Sequence, residues 1–274
     1  MDGTEAAALD AVTIAQAFVS ARANRRAVMS YPGPLPETLA HAYLIQSQAL
    51  RLDGRPPAGW KIGRIQPPQS DTYGDDRLSG PIFADAIVDA TDGARVTFEA
   101  IEGGFCAVEG EVAFLVGQDA SASRRDWTAE TVAALVAETR FAVEMAGSPF
   151  SQINDLGPGV TASDFGNNAG LFLGGRMCVG PLQNPETVSC RTFIDGVEAG
   201  RGRASDVLGG PLGALAWLAS HLAARGLPLK QGQWVSTGAI TGVHRIFQGQ
   251  SFVVEFDGFG SIAGDILGKT EAAG

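Results

Sequence analysis

Apolar residues at helical spacing open the chain. Ala8, Val12, Ile14, Ala15 and Phe18 share one face and predict an amphipathic helix over residues 4–26. The run Tyr31-Pro-Gly-Pro-Leu-Pro36 stops it, because proline cannot continue a helix. Leu39, Tyr43 and Leu50, with several alanines, predict a second helix over 37–52, closed by Asp53-Gly-Arg-Pro-Pro57. From Trp60 onward short β-type runs alternate with glycine-rich turns. The clearest strands are Ala107–Val116 and Phe252–Phe256. Two helices interrupt them, one over Thr128–Thr139. The other starts near Pro211, with Leu212, Leu215, Leu218 and Leu222 on one face and Gly226 just past its end. The division expected is a helical N-terminal segment, 1–57, and a β-rich catalytic domain, 58–274.

Composition narrows the class. With 274 residues, 45% hydrophobic, the chain can bury a core without covalent staples. Its 36 glycines favour a turn-rich β architecture over a helical bundle. A net charge of −10 argues against nucleic-acid binding. No apolar run reaches the length of a membrane span, and the acidic N-terminus is unlike a signal peptide. Cys106, Cys178 and Cys190 are widely spaced, which suits reduced thiols in a cytoplasmic protein.

The chemistry-bearing candidates are few. Glu109-Gly-Glu111 lies inside an apolar strand, where residues two apart share a face. Two carboxylates side by side repel, and a hard divalent cation such as Mg²⁺ or Mn²⁺ relieves that repulsion. The same spacing also serves a solvent-facing sheet with two surface acids. Glu144 sits in the apolar run Phe141-Ala-Val-Glu-Met-Ala146, where a carboxylate needs a partner, either a cation or an arginine. Lys61, in Gly59-Trp-Lys-Ile-Gly63, is one of three lysines. An apolar setting lowers a lysine pKa and suits it to acid–base work, although its stem can equally cover surface. Gly268-Lys269-Thr270 imitates a phosphate loop but has Ala263 where that loop needs glycine. His41, His221 and His244 lack metal-ligand spacing.

On these residues the chain resembles the 2-keto-4-pentenoate hydratase and 4-oxalocrotonate decarboxylase family, within the fumarylacetoacetate hydrolase-like superfamily. Further matching segments are Gly80-Pro-Ile-Phe-Ala-Asp85, Gly226-Leu-Pro-Leu-Lys-Gln-Gly232, Ser236-Thr-Gly-Ala239 and Gly258-Phe-Gly-Ser-Ile262. The resemblance implies an α+β fold: a mixed β-roll core of the fumarylacetoacetate hydrolase C-terminal type with a small helical N-terminal part. It implies that Glu109, Glu111 and Glu144 hold Mg²⁺ or Mn²⁺, that Lys61 is catalytic, and that the protein is a homo-oligomer. Two departures stand out. An acid usual before the Phe-Ala-Asp motif is missing from Asp76-Arg-Leu-Ser-Gly80. Ser79 is nearest, and Asp75 or Asp76 is a possible substitute. Arg64 replaces an apolar residue after the lysine motif and offers a bidentate partner for a carboxylate.

The activity implied is metal-dependent hydration of 2-hydroxypenta-2,4-dienoate-type substrates to 4-hydroxy-2-oxo acids. Arg64, Ser79 and Thr237 are then the candidate substrate contacts. Decarboxylation of a 4-oxalocrotonate-type diacid is the first alternative and acylpyruvate C–C hydrolysis the second. A silent ligand-binding relative is the non-enzymatic reading. In the enzymatic readings the partner is a small 2-keto or enol carboxylic acid.

Overall fold

The computed structural model describes residues 3–177 and 184–268. Cys178 and Lys269 therefore lie outside the described residues. The architecture is α+β, with two sheets and a few helices.

Helix α1 (Gly3–Ala23) and helix α2 (Leu39–Asp53) sit where the apolar spacing predicts them. Thr38 caps α2 by accepting the His41 amide, and Gly54 ends it in the left-handed region that glycine tolerates. The two helices pack into the core rather than beside it. Ala11, Ile14, Phe18 and Ile45 share a buried cluster with Phe83, Phe105, Ala107 and Ala146 of the strands.

The larger sheet has eight strands. Those that matter here are β1 (Pro57–Arg64), β2 (Arg77–Phe83), β5 (Phe105–Val116), β6 (Val136–Ser148), β7 (Asn168–Arg176) and β10 (Trp234–Ser236). Their order is β2-β1-β10-β5-β6-β7, with β3 (Ile87–Asp89) at the far edge and β11 (His244–Arg245) paired to the start of β5. The smaller sheet runs β4 (Val96–Glu99), β13 (Gly260–Leu267), β12 (Ser251–Phe256), β8 (Ser189–Ile194), β9 (Val197–Arg203). It packs against one face of the larger sheet through Val108, Val112, Phe114, Cys190, Val254 and Phe256.

Gly110 explains how closely the two sheets meet. A Cβ there would sit 2.6 Å from Cys190 Sγ and 2.9 Å from Val254 Cγ1. Any larger residue would push the sheets apart, so the glycine between the two glutamates is a packing requirement.

One predicted element is corrected. The helix expected over Thr128–Thr139 is a single turn, α4 (Ala129–Val132), followed by a 3-10 turn over Ala133–Leu135. From Val136 the chain is strand, because pairing with β5 overrides the helix propensity of its alanines and glutamates. The helix from Pro211 is confirmed as α6 (Gly210–Ala224), with Leu215, Leu218 and Leu222 buried. Short helices α3 (Gln69–Tyr73) and α5 (Pro158–Ser163) complete the described set. No described helix is long and apolar enough to cross a membrane.

Candidate metal centre and active-site cleft

Strand alternation separates the two faces of β5. Val108, Gly110 and Val112 point at the smaller sheet, so Glu109 and Glu111 point the other way. On β6, Glu144 pairs with Glu109 and shares its face. β10 lies between β5 and β1 and sets Ser236 between Ala113 and Lys61. Three strands distant in sequence thus bring three acids and one lysine together. One oxygen from each of Glu109, Glu111 and Glu144 lies within 4.8 Å of the others. All three side chains are buried, as is Lys61 at 3% exposure. The solvent-facing alternative for the glutamate pair is excluded, and so is the surface-lysine alternative.

The hydrogen bonds divide each of two carboxylates into a held oxygen and a free one. Glu111 Oε2 accepts from the Ser236 hydroxyl and from the Gly238 amide at 2.8 Å. Glu144 Oε1 accepts from Asn168 Nδ2 at 3.0 Å and meets Lys61 Nζ at 3.3 Å. Glu111 Oε1 and Glu144 Oε2 are buried with no hydrogen-bond partner among the described residues. Such orphaned anionic oxygens are costly unless a cation takes them. Glu144 is therefore paired with lysine rather than arginine.

Charge points the same way. Three carboxylates against one ammonium leave two negative charges unmatched. Burial raises the Glu109 pKa to about 7; Lys61 opposes that shift and Glu144 adds to it. Burial, with the charges of Glu144 and Glu109, holds Glu111 well above the usual carboxylate range. At Lys61, burial alone would lower the pKa, but the charges of Glu144, Glu109 and Glu111 outweigh it and the net shift is upward. The lowered lysine pKa expected from an apolar setting is thus corrected: the three acids hold Lys61 as an ammonium. Oxygen-only donors of this kind suit a hard divalent ion, whose two positive charges match the deficit.

The centre opens into a cleft of about 630 Å³, within the size range of small-molecule sites. Lys61, Arg64, Leu78, Glu109, Asn167 and Thr237 are among the residues lining it. Arg64 stands exposed at the end of β1 and makes no ion pair among the described residues. Thr237 is buried and donates its hydroxyl proton to Val112 O at 2.8 Å, so it offers the cleft an acceptor.

Ser79 lies elsewhere. It is fully buried, accepts from Arg225 Nη1 at 3.3 Å, and is absent from the cleft wall. Strand parity decides this, since Leu78 pairs with Gly63 and takes the cleft side. Neither proposed substitute acid reaches the cleft wall. Asp75 accepts from Trp217 Nε1 and Asp76 pairs with Arg77.

Two site residues escaped the sequence reading. Asn167 accepts from Lys61 Nζ at 3.3 Å, and Asn168 holds Glu144. Asn167 ends, and Asn168 follows, a turn in which Phe165, Gly166 and Asn167 all have positive φ, at 54°, 62° and 55°. The turn lies directly on Gly80, where a Cβ would collide with the Phe165 carbonyl. The visible signal was the Phe165-Gly-Asn-Asn168 string, since glycine and asparagine tolerate left-handed backbone best.

Known proteins resemble this chain in sequence and in fold. A 2-keto-4-pentenoate hydratase of Burkholderia vietnamiensis is 29% identical over 231 residues, covering 82% of this chain and 84% of that protein. The 2-keto-4-pentenoate hydratase 1 of Dechloromonas aromatica is 32% identical over 248 residues, covering 84% and 88%. Among solved structures, the 4-oxalocrotonate decarboxylase of Pseudomonas putida G7, complexed with magnesium and adipate, superposes with a TM-score of 0.77. It is 20% identical and covers 94% of this chain and 97% of that one, a likeness of fold. The sequence profile of the fumarylacetoacetate (FAA) hydrolase C-terminal family matches residues 84–267, a span that includes all three glutamates. By that match, and by its identity to the Dechloromonas hydratase, the chain belongs to the FAA hydrolase C-terminal family.

Proposed function

We propose that the protein is a metal-dependent hydro-lyase that adds water to 2-hydroxypenta-2,4-dienoate-type acids, giving 4-hydroxy-2-oxo acids. One observation carries the reading: three buried carboxylates converge beside a cleft that Glu109 and Lys61 line, two of them with an unpartnered oxygen. The hydratases at about 30% identity over most of the chain supply the reaction class. Glu109, Glu111 and Glu144 would hold Mg²⁺ or Mn²⁺. When bound, the ion supplies Lewis-acid polarisation of the substrate's C1 carboxylate and C2 oxygen.

The chain's own groups do the rest. Lys61, kept as an ammonium, holds a proton next to the substrate and balances charge that develops on the dienolate. Hydration takes the C2 enol proton away as C5 gains one, then splits a water so that its hydroxyl joins C4 and its proton joins C3; Lys61 is the buried cation beside these proton transfers. Asn167 fixes the Lys61 head group. Leu78 gives the wall beside Lys61 an apolar surface. Arg64 at the cleft mouth would face the far end of the substrate. Thr237 reaches a substrate carboxylate only by giving up its bond to Val112.

Decarboxylation of a vinylogous 2-keto diacid is the second reading, favoured by one observation. Leu78 occupies the cleft wall next to Lys61, where a hydratase gains from a second proton carrier and a decarboxylase has no water to deliver.

The test is turnover of 2-hydroxypenta-2,4-dienoate with Mg²⁺ or Mn²⁺, followed by loss of dienol absorbance and by NMR of the product. We expect metal-dependent formation of 4-hydroxy-2-oxopentanoate. Release of CO₂ from oxalocrotonate without that hydration would move the assignment to the decarboxylase. No turnover of hydroxydienoates, oxalocrotonate or acylpyruvates by metal-loaded protein would overturn the enzymatic reading.

A further inference from the structure

We propose that Arg22, in the last turn of α1, is a positioning residue for the acid cluster, acting through Asp164 and the turn that carries Asn167 and Asn168. The inference rests on the metal reading above and names a residue outside the cleft that tunes it.

Arg22 makes four kinds of contact at once. Its guanidinium forks onto Asp164, with Nε to Oδ1 at 2.6 Å and Nη2 to Oδ2 at 2.9 Å. Nη2 also donates to the Gly147 carbonyl at 2.8 Å, and Nη1 to the Asn168 carbonyl at 3.1 Å. The Asp164 carbonyl accepts a further bond at 3.3 Å. Asp164 is almost fully buried and accepts in addition from the Ser148 hydroxyl at 2.6 Å. One cation therefore clips together the end of α1, the stretch of β6 three residues beyond Glu144, and the first residue of β7.

Those are the elements that hold Glu144. Asn168, whose carbonyl Arg22 grips, uses its own side chain to bond Glu144 Oε1. Between Asp164 and Asn168 the backbone takes three consecutive left-handed residues, two of them not glycine. Such a conformation persists only where its surroundings impose it. The fork on Asp164 fixes the entry to the turn and the bond to Asn168 O fixes its exit. From the other side, Gln46 of α2 donates to the carbonyls of Ala162 and Ser79, holding the approach to the turn against β2. A planar five-donor group suits this fork, and lysine cannot reproduce it.

A buried ion pair that merely stabilises the fold would leave the Glu144 carboxylate where it is. A positioning residue would not. Second-layer partners of a ligand change metal affinity by about 10–100-fold. Mn²⁺ binding is therefore titrated by electron paramagnetic resonance, well below the melting temperature, on wild type, Arg22→Gln, Asn168→Ala and the double variant. We expect each single change to raise the Mn²⁺ Kd about tenfold or more, and the double variant to be no worse than the weaker single binder. Arg22→Lys should fall between wild type and Arg22→Gln.

Wild-type affinity in a folded Arg22→Gln protein overturns the inference, as do losses that multiply in the double variant. Should Arg22→Gln fail to fold, Asp164→Asn and Arg22→Lys run through the same cycle with Asn168→Ala, and the same two results decide. A wild-type protein that binds no Mn²⁺ overturns the metal reading and this inference with it. A wild type that binds while the Arg22 variants match it overturns the inference alone.

Discussion

Strand β5 shows two solutions to burial on one backbone. Toward the smaller sheet it presents Val108, Gly110, Val112 and Phe114, which pack into the main apolar core. On its other face it presents Glu109 and Glu111 to the acid cluster, equally hidden from water but carboxylic. The first face stabilises the fold by removing apolar area from water, at about 25 cal/mol per Å². The second face works against it, because buried carboxylates near one another are unfavourable until a cation arrives. The strand can afford its charged face because the opposite face is packed tightly enough to need a glycine. Stability and reactivity are thus segregated by residue parity along a single strand.

Substitutions on the two faces should therefore fail in different ways. Glu109→Gln has the largest expected effect. Mn²⁺ affinity should fall by more than the ~10–100-fold typical of a second-layer partner, and turnover should drop at least as far. The metal-free protein should melt no lower than wild type, since a repelling charge is gone. Calorimetric titration with steady-state kinetics tests this, and a fully active variant would remove Glu109 from the ligand set.

Gly110→Val should do the reverse. The added methyls meet Cys190 and Val254, and overpacking of this kind costs about 1–3 kcal/mol. The unfolding midpoint should drop by roughly 2–4 °C per kcal/mol. The folded fraction should still bind Mn²⁺. Unchanged stability in thermal or urea melts would mean the sheets are not in contact at this point.

The smallest effect concerns pH. Burial raises the folded-state pKa of Glu109 to about 7, from an ordinary value of 4.5. Between these values the folded protein holds a proton that the unfolded chain releases. The contribution is intact below 4.5 and is lost as pH rises through 7. Lys61, whose pKa is raised above its ordinary 10.5, stays protonated in both states across this window. In metal-free protein, the stability of wild type minus that of Glu109→Gln should therefore decline from pH 4.5 to 7. Urea melts at several pH values measure this, and a flat or rising difference would break the comparison.

How much of this was readable in the sequence follows from the same parity. The Glu109-Gly-Glu111 alternation announces a shared face, and Lys61 between apolar neighbours announces burial. Whether that face was cleft or solvent depended on β6 and β10, which pair only through tertiary contacts. The stretch Thr128–Thr139 looked helical because local propensity has no knowledge of β5. Ser79 was singled out as the residue nearest the missing acid, yet register with Gly63 gives the cleft to Leu78. Asn167 and Asn168 carried no periodic signal, because a left-handed turn repeats nothing. Nothing in the sequence singles out Arg22, and only its fork onto Asp164 gives it a role.

The place of β10 in the sheet has a consequence for biosynthesis. This strand lies between β1 and β5 but follows both of them, and β6 and β7, along the chain. A nascent polypeptide lacking residues 234–236 has β1 and β5 without the strand that joins them. Contacts this distant along the chain form late, after loop closure has been overcome. Under the proposed metal reading, the acid cluster and Lys61 form a complete site only once this late pairing is in place.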